Sequence, residues 1–178
     1  MREEFVNNWD LSKNSSPKLE FYAKIKNKFE PEKYLSKIEN STFRESMTRY
    51  RISCHNLYVE RGRYENPYVL REDRWCVHCY THTGLKLVED EYHVLLNCPL
   101  FHAIKSKNNF TASSADELID MLSNQTLAPN KIKLVSKTIH EILTANESYT
   151  QYYKSQDFHN NTGNCVLLWL LAIYFLPY

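Results

Sequence analysis

Cys76-Val77-His78-Cys79 sets two thiols three positions apart, and His93 and Cys98 follow as a second pair with four residues between them. Such short spacings let both side chains of a pair turn toward one ion, and the two pairs together offer three sulfurs and one ring nitrogen. That ligand set suits a tetrahedral zinc ion. A shell filled by four protein ligands keeps no position for water, so the expected role is structural and not catalytic. Metal would then supply folding free energy, on the order of 10–16 kcal/mol apparent in small zinc peptides, to a stretch with little apolar core of its own. His82, three residues after Cys79, is the alternative to His93, while His78 sits inside the first pair where its ring tends to point away. The competing bland reading is chance proximity in a chain with five cysteines and seven histidines.

A second constellation lies just upstream. Arg44, Arg49, Arg51, Arg61, Arg63, Arg71 and Arg74 place seven arginines within 31 residues that contain no lysine. Guanidinium forks suit bidentate contacts to phosphate or guanine. Tyr58, Tyr64, Tyr68 and Trp75 interleave with them as faces on which unpaired bases can stack. The candidate nucleic-acid contacts are Arg44, Arg51, Arg61, Arg63, Tyr64, Arg71, Arg74 and Trp75, with RNA or single-stranded DNA as the partner, because no recognition-helix motif is visible. The alternative is a solvated face in which Glu45, Glu60, Glu65, Glu72 and Asp73 pair with the arginines.

Composition bounds the rest. The chain has 178 residues, enough for one domain, and 22 basic against 21 acidic residues give a net charge of +1, so only local clustering can argue for nucleic acid. Three glycines exclude Gly-rich phosphate loops and with them most nucleotide-dependent enzymes. No apolar leader follows Met1-Arg2-Glu3-Glu4, so an intracellular, reducing compartment is expected, nucleus or cytoplasm unspecified, where cysteines serve as metal ligands or buried thiols. Adjacent Glu89, Asp90 and Glu91 precede His93, but neighbouring carboxylates diverge on a helix and more naturally favour its N-terminus than act as an acid–base pair. No enzymatic activity is expected.

The elements that must position these residues read as helices. Ser16-Pro17 opens one, with Leu19, Tyr22, Ile25 and Phe29 at helical spacing, and Tyr34, Leu35 and Ile38 mark a second. Thr42-Phe43-Arg44-Glu45 has capping-box form and predicts a third from Phe43, with Met47, Tyr50, Cys54 and Leu57 on its buried stripe. Ser114-Ala115-Asp116-Glu117 repeats the form before Leu118, Ile119, Met121 and Leu122, and Pro129 precedes a helix burying Ile132, Val135, Ile139 and Ile142. The expected fold is mainly α: a tail at 1–15, a small helical domain at 16–145 with an irregular zinc-bound Cys-Cys-His-Cys segment at about 71–101, and a second tail at 146–178. Cys165–Leu176 is an apolar run of 12 residues. A bilayer span needs about 20, so a buried helix or a non-native extension is expected, and no membrane partner.

Several words in the chain resemble one family, the C-terminal region of reverse transcriptases from invertebrate non-LTR (LINE-like) retrotransposons. They are Tyr50-Arg51-Ile52-Ser53-Cys54-His55-Asn56-Leu57, Val59-Glu60-Arg61-Gly62-Arg63-Tyr64, Arg71-Glu72-Asp73-Arg74-Trp75-Cys76-Val77-His78-Cys79 and Val88-Glu89-Asp90-Glu91-Tyr92-His93-Val94-Leu95-Leu96-Asn97-Cys98-Pro99. The similarity extends from about Phe5 to Ile142 and includes the order Cys-x2-Cys-x13-His-x4-Cys, a zinc knuckle with a lengthened loop. The resemblance implies the end piece of a larger polymerase, gripping template RNA or target DNA and docking on a polymerase domain. No Tyr-x-Asp-Asp palm motif or restriction-like nuclease motif occurs, and the apolar tail has no counterpart in the family. Two alternatives stand beside nucleic-acid binding: a purely structural or protein-interaction zinc domain, and a retroelement-derived fragment without activity.

Overall fold

The computed structural model describes residues 2–123 and 128–160, which fold as helices and turns with one isolated antiparallel bridge between Trp75 and Val88. In chain order the helices are α1 (Arg2–Ser15), α2 (Glu20–Ile25), α3 (Tyr34–Lys37), α4 (Ser41–Arg51), α5 (Tyr58–Arg61), α6 (Val77–Thr83), α7 (His102–Lys107), α8 (Ala115–Ser123) and α9 (Pro129–Asn160). The mainly α expectation holds.

The long α9 is the spine of the fold, and α4 packs along it. Ile132, Val135, Ile139 and Ile142 are buried on one face, as their spacing predicts, and meet Met47 and Tyr50 of α4 in a shared core. The tilted Phe43 and His140 rings lie 5.3 Å apart, and Ser46 Oγ and His140 Nδ1 share a hydrogen bond of 3.0 Å. The capping box of α8 forms: the amide of Glu117 donates to Ser114 Oγ at 3.2 Å, and the Glu117 carboxylate accepts from the Ser113 amide at 2.7 Å. Leu118, Met121 and Leu122 of α8 are buried, and the helix packs against α2.

Five expectations need correction. The segment at 1–15 is the helix α1 and not a tail; it lacks an apolar stripe but is tied down by Lys13, which donates to the Lys26 carbonyl at 3.0 Å, and by Trp9 against Phe29. Helix α2 stops at Ile25 and buries Phe21 and Ile25, leaving Phe29 exposed. α4 begins two residues before the predicted start, because Asn40 Oδ1 caps the Phe43 amide at 3.0 Å. It also ends at Arg51, and Ser53 then takes a left-handed φ of 50°, which turns Cys54 out to solvent and away from the core stripe. The predicted boundary near 146 is crossed as well, since α9 continues to Asn160 and Asn146 is buried. Among the described residues no helix is long and apolar enough to cross a membrane. The apolar run Cys165–Leu176 lies outside the described residues.

Candidate metal centre

Cys76, Cys79, His93 and Cys98 converge, and their ligand atoms all lie within 4.8 Å of one another. Cys76 is the residue before α6, and its amide donates to the Leu87 carbonyl at 2.7 Å, which pins the start of the helix against the returning strand-like segment. Cys79 follows in the first turn of α6, so both thiols leave the same side of it. Gly84 ends the helix in the left-handed conformation, φ 72°, closing the turn that brings residues 85–89 back beside residues 74–76.

The second pair rests on a different device. Asp90 Oδ1 accepts from the His93 amide at 2.9 Å and starts a π-helical turn at His93–Asn97. The Cys98 amide donates to the His93 carbonyl at 2.8 Å, so the wide turn stacks His93 and Cys98 toward one side. Pro99 then opens a 3-10 turn at Pro99–Phe101 and directs the chain away.

Within the cluster the Cys76 and Cys98 sulfurs are 3.8 Å apart, the Cys79 and Cys98 sulfurs 4.0 Å, and Cys79 Sγ lies 3.3 Å from His93 Nε2. A tetrahedral ion with metal–sulfur bonds of about 2.3 Å requires sulfurs about 3.8 Å apart, so the geometry fits one ion. All four residues are at most 5% exposed. The hydrogen bond from Cys98, then that from His93, lowers the Cys76 thiol to about 4 against the effect of burial. Burial and the neighbouring Cys76 charge raise Cys79 to about 11, and the bond to Cys76 raises Cys98 as well. One thiolate thus shares protons with two thiols, and a divalent cation would displace those protons. The set can hold one metal ion.

No protein-family model matches this chain, and neither does any curated protein or solved structure. Its reading therefore rests on its own residues.

Of the arginines expected to face nucleic acid, two are interior. Arg51 is 1% exposed, ion-paired with Glu32 at 2.8 Å and bonded to the Leu122 carbonyl. Arg74, also 1% exposed, donates to the carbonyls of Val59 at 2.6 Å and Val69 at 2.8 Å and to the Tyr68 hydroxyl at 3.0 Å. Each guanidinium compensates its desolvation with internal acceptors, so the surface role expected for Arg51 and Arg74 is replaced by a structural one. Half-buried Arg44 donates to the Ile38 carbonyl at 2.9 Å, and Arg61 lies over the Tyr58 ring. Arg63 pairs with Glu60 at 2.6 Å and Arg71 with Asp90 at 3.2 Å, the latter half-exposed.

Tyr64 stands out into solvent. Trp75 is half-buried, donates its indole N–H to the Glu72 carbonyl, carries Lys86 over its ring at 3.9 Å and lies 5.4 Å from the Tyr80 ring. Lys86 and Tyr80 had no signal in the sequence, because only folding of the hairpin at Gly84 sets them beside Trp75.

The metal segment is locked to the helical core at Glu89. Its Oε1 accepts from the Tyr58 amide at 2.9 Å and from Asn146 Nδ2 at 3.1 Å, and burial, with the Cys76 charge second, pushes its carboxyl up to about 7. His78, pointing away from the cluster as expected, meets the Tyr149 hydroxyl of α9 at 3.2 Å.

Proposed function

We propose that this protein is a zinc-stabilised nucleic-acid-binding module, taking RNA or single-stranded DNA on the outer face of its metal segment and carrying no catalytic residues. Zinc is the metal of choice because three thiolates and one imidazole in tetrahedral array are its preferred structural set. A closed shell positions no reactive water, so the ion acts on folding.

The observation that carries the binding reading is the group of exposed Tyr64, Arg71, Tyr80 and Lys86 with half-buried Trp75, on and beside the metal segment. Aromatic rings flanked by cations suit unpaired bases joined by phosphates. The sequence resemblance to the end of a retroelement reverse transcriptase agrees with it and adds a polymerase domain as a second partner. Zinc-loaded protein retained on single-stranded RNA at low salt, and released steeply as salt rises, is the expected result. Absence of retention at low salt, with one zinc per chain present, sinks the binding reading.

A second reading, a protein-interaction domain, is favoured by the exposed Leu70, Leu85 and Leu87 around the same segment. Docking through these leucines would persist or strengthen as salt rises, the opposite of phosphate binding.

A further inference from the structure

Four cations from three separate parts of the chain, Lys18, Lys24, Arg63 and Arg71, line one cleft between α2 and the metal segment, together with the carboxylates of Glu20, Glu60 and Glu91. Phe21 and Tyr92 also line it, with their rings edge-to-face at 5.3 Å. We infer that this cleft seats phosphodiester groups of a bound single strand, with Lys18 and Lys24 completing a track that Arg63 and Arg71 begin; the inference rests on the nucleic-acid reading above.

Each cation already has a carboxylate, so the question is whether a phosphate can compete. Lys18 lies 4.0 Å from Glu60, at the limit of an ion pair, and Glu60 is held more closely by Arg63 at 2.6 Å. Lys24 pairs with Glu20 at 3.1 Å one turn away, and both side chains are about half-exposed or more. Arg71 touches Asp90 through one nitrogen while its side chain is 51% exposed. Only Lys24–Glu20 is exposed on both sides, but Lys18, Lys24 and Arg71 each keep more than a third of the side chain exposed and can turn from a weak ion pair to a phosphate oxygen. Arg51 and Arg74 are the contrast: both are enclosed at 1% exposure and hold internal acceptors, so neither can be recruited. Exposed Tyr64, one residue beyond Arg63, provides a ring beside the track for a base.

The test uses the full zinc-loaded chain and a labelled 20-nucleotide polyuridine, with affinity measured across salt concentrations. K18A/K24A should bind more weakly and flatten the slope of log affinity against log salt by about 1.4, since each single-strand contact contributes roughly 0.7. K18R/K24R should restore the slope, and K107A/K137A, which removes two exposed lysines elsewhere, should leave it unchanged. Zinc content and circular dichroism identify any variant that has lost its fold. A wild-type slope in K18A/K24A, or an equal loss in K107A/K137A, overturns the cleft assignment while leaving the nucleic-acid reading standing. No binding by the wild-type protein overturns both. Displacement of polyuridine by millimolar inorganic phosphate, beyond that by chloride at equal ionic strength, would assign the cleft to free phosphate and overturn its assignment to a strand.

Discussion

The amide of Cys98 donates to the carbonyl of His93 across a five-residue turn, at 2.8 Å, and this one bond sets two of the four clustered Cys and His side chains on the same side. An ordinary α-turn would rotate Cys98 away from His93 by changing the number of residues per turn. Asp90 starts the turn and Pro99 follows it, so three local devices hold the spacing of the second pair.

One zinc per chain is the expected content of freshly purified, reduced protein. Cys98→Ser should lower it well below one, while Cys54→Ser, which changes an exposed thiol remote from the cluster, should leave it at one. Elemental analysis of the three proteins decides the matter; equal zinc in wild type and Cys98→Ser would exclude the assigned ligand set.

Loss of the metal should loosen the chain unevenly. In Cys98→Ser, amides around Cys76–Gly84 and His93–Cys98 should exchange much faster, because these short turns are joined through the clustered side chains, while Val94, Leu95 and Phe101 stay anchored in the shared core. The α4–α9 pair has its own buried faces and should keep its protection. Uniform acceleration in both regions, read by hydrogen exchange, would contradict separate local stability.

Arg74 is predicted to matter for folding and Arg71 for binding. Arg74→Ala strands the carbonyls of Val59 and Val69 inside the protein and should cost roughly 2–4 kcal/mol in denaturant unfolding. Gly62→Ala tests the same packing from the other side: an added methyl would meet Arg74 Cδ at 2.8 Å, so a destabilisation of about 1–3 kcal/mol is expected. Arg71→Ala should unfold within about 0.5 kcal/mol of wild type.

Glu89 provides a pH signature. Its folded-state pKa is raised to about 7, chiefly by burial, so the folded protein holds its proton more tightly than the unfolded chain does. The sign follows: the associated stability is complete below the unfolded value near 4.5 and is lost as pH rises through about 7. Glu89→Gln has no charge to bury and can still accept from Tyr58 and Asn146. The variant should therefore gain on the wild type as pH rises from about 4.5 to about 7, by up to roughly 3 kcal/mol, and the difference should level off above that. Both proteins are compared in the same metal-loaded state, because the Cys76 charge is the second cause of the shift. A flat difference curve would remove Glu89 as a titrating group.

Stacking should separate from charge. Tyr64→Ala or Trp75→Ala should weaken binding of a single strand by about 1–3 kcal/mol per stacked base while leaving the salt slope nearly unchanged. A changed slope with unchanged affinity at low salt would show that these rings take no base.

Where a feature depended on neighbours in the chain, it was legible before folding. The metal pairs, the capping box at Ser114–Glu117 and the α9 stripe Ile132, Val135, Ile139 and Ile142 all rest on spacings of two to five residues. Backbone geometry alone converts such spacings into a shared face. Where a competing local signal existed, the reading slipped: Asn40 outcompeted Thr42 as a cap, and Ser53 ended α4 before Cys54 could join its buried stripe.

The sequence by itself determined the Cys-Cys-His-Cys cluster, the helical class and the main buried faces, because these follow from side-chain type and short-range periodicity. Only the tertiary structure decided what each cation does. Seven arginines in one stretch look equivalent in the sequence, yet Arg51 and Arg74 became interior struts while Arg71 stayed at the surface. Lys18 and Lys24 arrived beside Arg63 and Arg71 from some forty residues away. Charge acts through space, and its environment is set by whichever carbonyls and carboxylates the fold brings within reach, which no local pattern encodes.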